Sequence, residues 1–98
     1  YPTSEERKRF YIPYIGKILE YDAKNSTELL LTLKYFIKNN GNLIKTADEL
    51  FIHRNTLIYR ISVIKKILNN SLEEIDTRLV LYISIIFYEF DNHVLFLK

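Results

Sequence analysis

An all-α fold of five to six helices, containing a helix-turn-helix, is what the sequence predicts, and three observations predict it. Apolar residues recur at helical spacing over almost the whole 98-residue chain. Two Gly and two Pro supply too few turns for a sheet protein of this size. A hydrophobic content of 48% can build one real core, and at this length there is no room for a second. Residues 1–98 therefore read as one domain, with supporting helices over 1–41, a helix-turn-helix over 42–68, and a C-terminal helix and tail over 69–98.

In chain order, Glu5 to Tyr11 reads as a short solvated helix. Pro13 then suits the first turn of a second helix running to about Tyr21, where a missing N–H costs nothing. Ile12, Ile15, Ile18 and Leu19 face inwards in that reading. Asn25, three residues before Glu28, reads as a capping box opening a helix to about Asn39, with Leu29, Leu30, Leu33, Phe36 and Ile37 on its apolar side. The run Asn39-Asn40-Gly41 stops it.

Asn42 is a good N-cap for the next helix, in which Leu43, Ile44, Ala47 and Leu50 share one side while Lys45, Asp48 and Glu49 face water. A tight turn leads to a second segment whose buried stripe is Leu57, Ile61, Ile64 and Leu68. Its opposite face carries Asn55, Tyr59, Ser62 and Lys66, flanked by Arg54, Arg60 and Lys65. Hydrogen-bonding groups in the middle with cations along the edges suit a major groove between two phosphate rails. Charge follows the same division. Residues 42–68 hold five cations against two acids, whereas residues 69–98 hold two cations against five acids. The overall +2 is too small to argue for nucleic acid by itself, so this distribution carries the inference.

Asn69-Asn70-Ser71 reads as a turn, Leu72 to Ile75 as one loose turn, and Asp76 as the cap of a last helix from Thr77 to about Phe90. That helix is apolar on nearly every side and too short and interrupted for a membrane span. It must be covered all round, either as the central strut of the domain or as half of a dimer contact involving the apolar excess from Leu79 to Leu97.

The run T-A-D-E-L-F-I-H-R-N-T-L-I-Y-R-I, Thr46 to Ile61, resembles the C-terminal helix-turn-helix of the PucR family of bacterial transcriptional regulators and, more distantly, the DNA-binding end of the Fis family. The resemblance extends to Leu19-Glu20-Tyr21-Asp22, to Glu28 through Leu33, and to Asp76-Thr77-Arg78-Leu79. It implies sequence-specific binding of double-stranded DNA, with a recognition helix at about 54–68 in the major groove. It also implies a sensory region ahead of Tyr1, so that a small-molecule effector would bind outside this chain. One departure stands out: Phe51 occupies a turn where the general motif often has Gly. A bulky residue is costly there at positive φ, so the expectation is a differently shaped turn or a packed Phe51.

The candidate DNA-contacting residues are Lys45, Thr46, His53, Arg54, Asn55, Thr56, Tyr59, Arg60, Ser62, Lys65 and Lys66. For the cations the bland alternative is a solvated helix face, and for Tyr59 it is half-buried packing. His53 is placed to cap the second helix or to touch a base, and of Asn55 and Thr56 one is expected to cap while the other contacts DNA. Catalysis is not expected, and neither is a metal or cofactor. His53 and His93 are far apart and outside any HExxH spacing, no GxSxG or phosphate-cradling glycine loop is present, and there is no Cys. The rival class is a protein-interaction module using the helix at 77–90, with little DNA specificity of its own. The lack of Cys fits a reducing cytoplasm, Tyr1 to Arg9 has no apolar signal-peptide core, and the absence of Met suggests a piece of a longer regulator. A homodimer is expected, because one short recognition helix buries too little surface for strong specific affinity.

Overall fold

The computed structural model describes residues 1–93, which form α1 (Ser4–Asn25), α2 (Leu29–Lys38), α3 (Leu43–Leu50), α4 (Arg54–Leu68) and α5 (Ile75–Asn92). No strand occurs among the described residues.

The first 25 residues depart from expectation. Thr3 opens α1 with a capping box: its hydroxyl accepts from the Glu6 N–H at 3.1 Å, and the Glu6 carboxylate accepts from the Thr3 N–H at 2.9 Å. The helix then runs unbroken through Pro13, so the two short helices read from the sequence are one. An interior proline costs roughly 3 kcal/mol. Tyr11, Ile15 and Ile18 form one buried stripe across that position, and burying each apolar side chain contributes about 1.5 to 3 kcal/mol, so burial outweighs the proline. Ile12 faces solvent instead of the core.

The expected Asn25–Glu28 capping box is also absent. Asn25 ends α1, its amide donating to the Tyr21 carbonyl at 2.9 Å, and Glu28 precedes α2 without a side-chain cap. Asp22 performs the task from the last turns of α1. One carboxylate oxygen accepts from Leu29 N–H at 2.8 Å and from the Thr27 hydroxyl at 2.7 Å, and the other accepts from Leu30 N–H at 2.9 Å. An acceptor borrowed from the preceding helix fixes the α1–α2 angle as well as satisfying two free donors. Nor does Asp76 cap the last helix: α5 begins at Ile75, and Asp76 lies within its first turn, where a negative charge meets the positive end of the helix dipole.

Helices α1 and α5 lie antiparallel, as three contacts in register show. Arg7 pairs with Asp91 at 2.6 Å, the Phe10 and Phe87 rings meet edge-on at 5.5 Å, and Tyr11 meets Tyr88 at 5.8 Å. The centre of the domain is α2, which packs on all four other helices and buries Leu29, Leu30, Thr32, Leu33, Lys34, Tyr35 and Phe36. Lys34 is therefore held inside, where it forms an ion pair with Glu89 of α5 at 2.8 Å, with both side chains at least nine-tenths buried. Residue α5 positions Leu81, Ser84 and Ile85 complete the core from the other side. The last helix is thus only half of the strut expected: Phe87 is half-buried, and Ile75, Leu79, Ile83, Ile86 and Phe90 remain exposed. Val94 to Leu97, the rest of the apolar excess, lie outside the described residues.

Two outcomes follow. Glu89→Leu removes the carboxylate paired with a buried ammonium and is expected to cost about 3 to 5 kcal/mol in urea unfolding, whereas Glu89→Leu combined with Lys34→Met recovers most of it. The phenols of Tyr11 and Tyr35 are raised above the ordinary tyrosine range, first by burial and then by the carboxylate of Asp91 for Tyr11 and of Glu49 and Glu89 for Tyr35. The unfolded chain then loses these protons first. Their contribution to stability is intact below about pH 10 and falls as pH rises beyond it, which urea midpoints between about pH 9 and about pH 11 will show.

Candidate nucleic-acid interface

Helices α3 and α4 are joined by Phe51, Ile52 and His53. Asn42 caps α3, its side chain accepting from the Lys45 N–H at 3.0 Å. The helix is stopped by Phe51, which adopts φ 57°, ψ 41°, while the Phe51 and Ile52 N–H groups donate back to the carbonyls of Asp48 and Ala47. These are the bonds a glycine usually closes at a helix end. The expectation of a differently shaped turn is overturned, since the φ is positive, and Phe51 is 83% exposed where packing was the alternative expected. Burial of Ala47 and Leu50 below α3, and of Leu57 and Ile61 below α4, determines where the chain must reverse, so the left-handed residue is imposed by its neighbours.

His53 starts α4. Its Nδ1 accepts from the Asn55 N–H at 3.0 Å, so the capping role expected of Asn55 or Thr56 belongs to His53. Asn55 and Thr56 are both left facing outwards. Leu57, Ile61 and Ile64 are buried, with Leu68 half-buried at the end of the same stripe. Arg54, Tyr59, Ser62 and Lys66 join Asn55 and Thr56 on the exposed side, and Lys65 is half-buried beside them. The Ser62 hydroxyl donates to the Tyr59 carbonyl at 2.6 Å, so it is partly engaged within its own helix. Lys45, on α3, is exposed, as is His53.

Two candidates sit apart. Thr46 is fully buried, its hydroxyl donating to the Asn42 carbonyl at 2.7 Å, and its side chain therefore leaves the outward-facing set. Arg60 is half-buried and turns back, one guanidinium nitrogen donating to the Thr32 hydroxyl of α2 at 3.2 Å. It stands at the edge of a shallow cleft with Tyr21, Ser26, Thr27, Thr56 and Tyr59, which places a cation beside hydroxyl groups at the rim of α4.

Sequence reasoning missed three apolar side chains on the outer surface. Ile44 is 65% exposed rather than on the buried side of α3, Ile58 is 44% exposed, and Phe51 is exposed in the turn between α3 and α4. The adjacent pair Leu57-Ile58 is the available signal for Ile58, since neighbours on a helix point about 100° apart and only one can face the core. It also missed two braces behind the turn. Asn39, at the end of α2, donates to Glu49 at 2.8 Å and Thr46 at 3.3 Å of α3. Arg78 reaches from α5 to the Leu72 carbonyl at 2.6 Å and the Asn40 side chain at 3.0 Å. Its guanidinium also closes over Gly41, whose φ of 80° and tight surroundings favour glycine.

A short helix, a three-residue turn and a longer helix bearing a polar and basic outer face define a helix-turn-helix module. The chain belongs to the family of the PucR C-terminal helix-turn-helix domain, which matches residues 29–87. It is similar to the proline-responsive transcriptional activator PutR of Bacillus subtilis, with 38% identity covering 87% of this chain and 22% of that protein. Similarity extends to the purine catabolism regulatory protein of the same organism, with 30% identity covering 83% of this chain and 15% of that protein. The DNA-binding transcriptional activator AdeR, also from B. subtilis, is 30% identical over 84% of this chain and 20% of its own length. The chain thus spans about a fifth of the length of these relatives. No solved structure gives a significant match. Among the described residues no helix is long and apolar enough to cross a membrane, and no three His, Asp or Glu gather as a metal site would need.

Phe51→Gly removes a left-handed non-glycine residue and is expected to stabilise the domain by about 1 kcal/mol, read as a rise in thermal midpoint. A lowered midpoint would mean that contacts of the ring outweigh its backbone strain.

Proposed function

We propose that this chain binds double-stranded DNA sequence-specifically, with α4 in the major groove, as the DNA-reading part of a longer cytoplasmic transcriptional regulator. The observation that carries this reading is the outer face of α4. Arg54, Asn55, Thr56, Tyr59, Ser62 and Lys66 all face solvent while the opposite stripe is buried. A helix anchored in this way presents donors and acceptors to base edges without moving.

Arg54 lies in the first turn of α4, the end that enters a groove most deeply in helix-turn-helix docking. Its planar fork matches the paired acceptors of guanine. Asn55, Thr56 and Tyr59 continue the reading face, with His53 at its entrance. Lys45, Lys65 and Lys66 meet the phosphate walls, and Arg60 meets a phosphate at the rim while braced on Thr32. Ile58 supplies an apolar contact of the kind that recognises a thymine methyl. The role is binding, not catalysis. Two copies related by a two-fold axis would engage successive major grooves about 34 Å apart, and a small-molecule effector would act through a region outside this chain.

Selection from random duplexes, followed by titration at several salt concentrations, tests the division of labour. Arg54→Ala is expected to cost about 1 to 3 kcal/mol and to relax the selected sequence, whereas Lys66→Ala weakens all duplexes alike and lowers the salt slope by about one. Loss of affinity in Arg54→Ala with an unchanged preferred sequence would make Arg54 a phosphate clamp.

A further inference from the structure

Helix α5 packs on α1 and α2 but on neither α3 nor α4, so its outer side stays open when α4 occupies a groove. That side is apolar from end to end. Ile75, Leu79, Ile83, Ile86 and Phe90 are 61, 53, 43, 39 and 67% exposed. At 100° per residue they fall within an arc of about 80°, and no polar residue of α5 falls inside it. Their spacing of three and four residues is that of a helix–helix seam. On the α1 side the patch continues through half-buried Phe87 to Phe10 and Tyr14, which are 37 and 46% exposed and joined by ring contacts of 5.5 and 5.7 Å.

We propose that this face is the contact between two copies of the chain, with α5 packed antiparallel on α5 about a two-fold axis near Tyr82 and Ile83. Size is the first argument. The seven exposed residues present on the order of 700 Å² per chain, above the roughly 300 to 600 Å² of an ordinary monomer's largest patch and close to the roughly 800 Å² per partner of a standard interface. Self-complementarity is the second. In antiparallel order Ile75 faces Phe90 and Leu79 faces Ile86, so the large ring meets a smaller side chain, the middle pair is matched in size, and each pair occurs twice, as a two-fold contact requires. Charge is the third. Glu73, Glu74 and Asp76 stand at one end of the stripe, whereas at the other the Arg7 guanidinium, 4.8 Å from the centre of the Phe90 ring, is already neutralised by Asp91. Antiparallel order keeps the acidic ends of the two copies apart, whereas parallel order would stack them together and align the helix dipoles unfavourably.

Because the chain contains no Cys, single cysteines report the arrangement directly. Ile83→Cys, near the axis, is expected to give a disulfide-linked dimer on mild oxidation. Ile75→Cys is not, since eight residues from Ile83 put its two copies about 24 Å apart, beyond the reach of a disulfide. Sedimentation at micromolar concentration is expected to show the unmodified chain as a dimer, and Leu79→Glu combined with Ile83→Glu as a monomer with unchanged helical circular dichroism. A monomeric unmodified chain, a dimer that persists in the double variant, or cross-linking of Ile75→Cys equal to that of Ile83→Cys would overturn the proposal. Should the double variant fail to fold, the cysteine pair decides alone.

Discussion

The constraint on which the rest of the structure depends is the burial of α2 among the four other helices. Seven of its ten residues are buried there, so the polar groups buried with them must find their partners inside the protein. The partners are what connect the domain. Asp22 reaches from α1 to the first N–H groups, Thr32 accepts from Arg60 of α4, Lys34 binds Glu89 of α5, and Asn39 at the far end holds Glu49 of α3. Apolar burial makes α2 central, and these few polar contacts decide the angle at which every other helix meets it.

The reading surface is a product of that arrangement. The faces of α3 and α4 that look inwards are small and closely packed, which leaves the outward face of α4 fixed relative to the turn before it. Two different devices hold the turn, the left-handed Phe51 and the His53 cap, while Asn42 caps the far end of α3. Behind it, Arg78 braces both the loop after α2 and the loop before α5. A candidate interface built on such supports presents its side chains preorganised, so the ordering of backbone on binding costs little.

Much of this was legible in the sequence, and for a physical reason. Period and composition report burial, and burial decides which stripe of α4 faces the core, so Leu57, Ile61 and Ile64 could be placed from spacing alone. What misled the reading was punctuation. Pro13 and Asn25 carry strong local signals for a helix start, yet tertiary contacts along α1 override the first, and Asp22, seven residues before Leu29, takes the place of the second. Phe51 shows the same limit, because a local rule assigns positive φ to glycine while the packing on either side of the turn demands it of phenylalanine. Exposure of Ile44 was hidden because an apolar residue inside a helical pattern is ordinarily counted with the core, and only the axial placement of α3 separates the two cases, whereas the pair Leu57-Ile58 already implied that one of the two faces outwards. Arg78 and Asn39 were invisible for another reason: their partners lie in other elements, and no spacing encodes that.

Continuity of α1 through Pro13 has a mechanical meaning. Twenty-two residues make a rod about 33 Å long, close to the 39 Å long axis of the whole domain. One end is clamped to the end of α5 through Arg7 and Asp91, and the other, through Asp22 and Tyr21, abuts the start of α2 and the cleft beside Tyr59 and Arg60. Such a rod is a lever. Tilting it by about 5° around its middle would move each end by about 1.5 Å, a displacement comparable to the tolerance of a hydrogen bond to a base edge. Two helices separated at Pro13 would absorb the same push in their hinge, whereas the single rod delivers it from one end of the domain to the other.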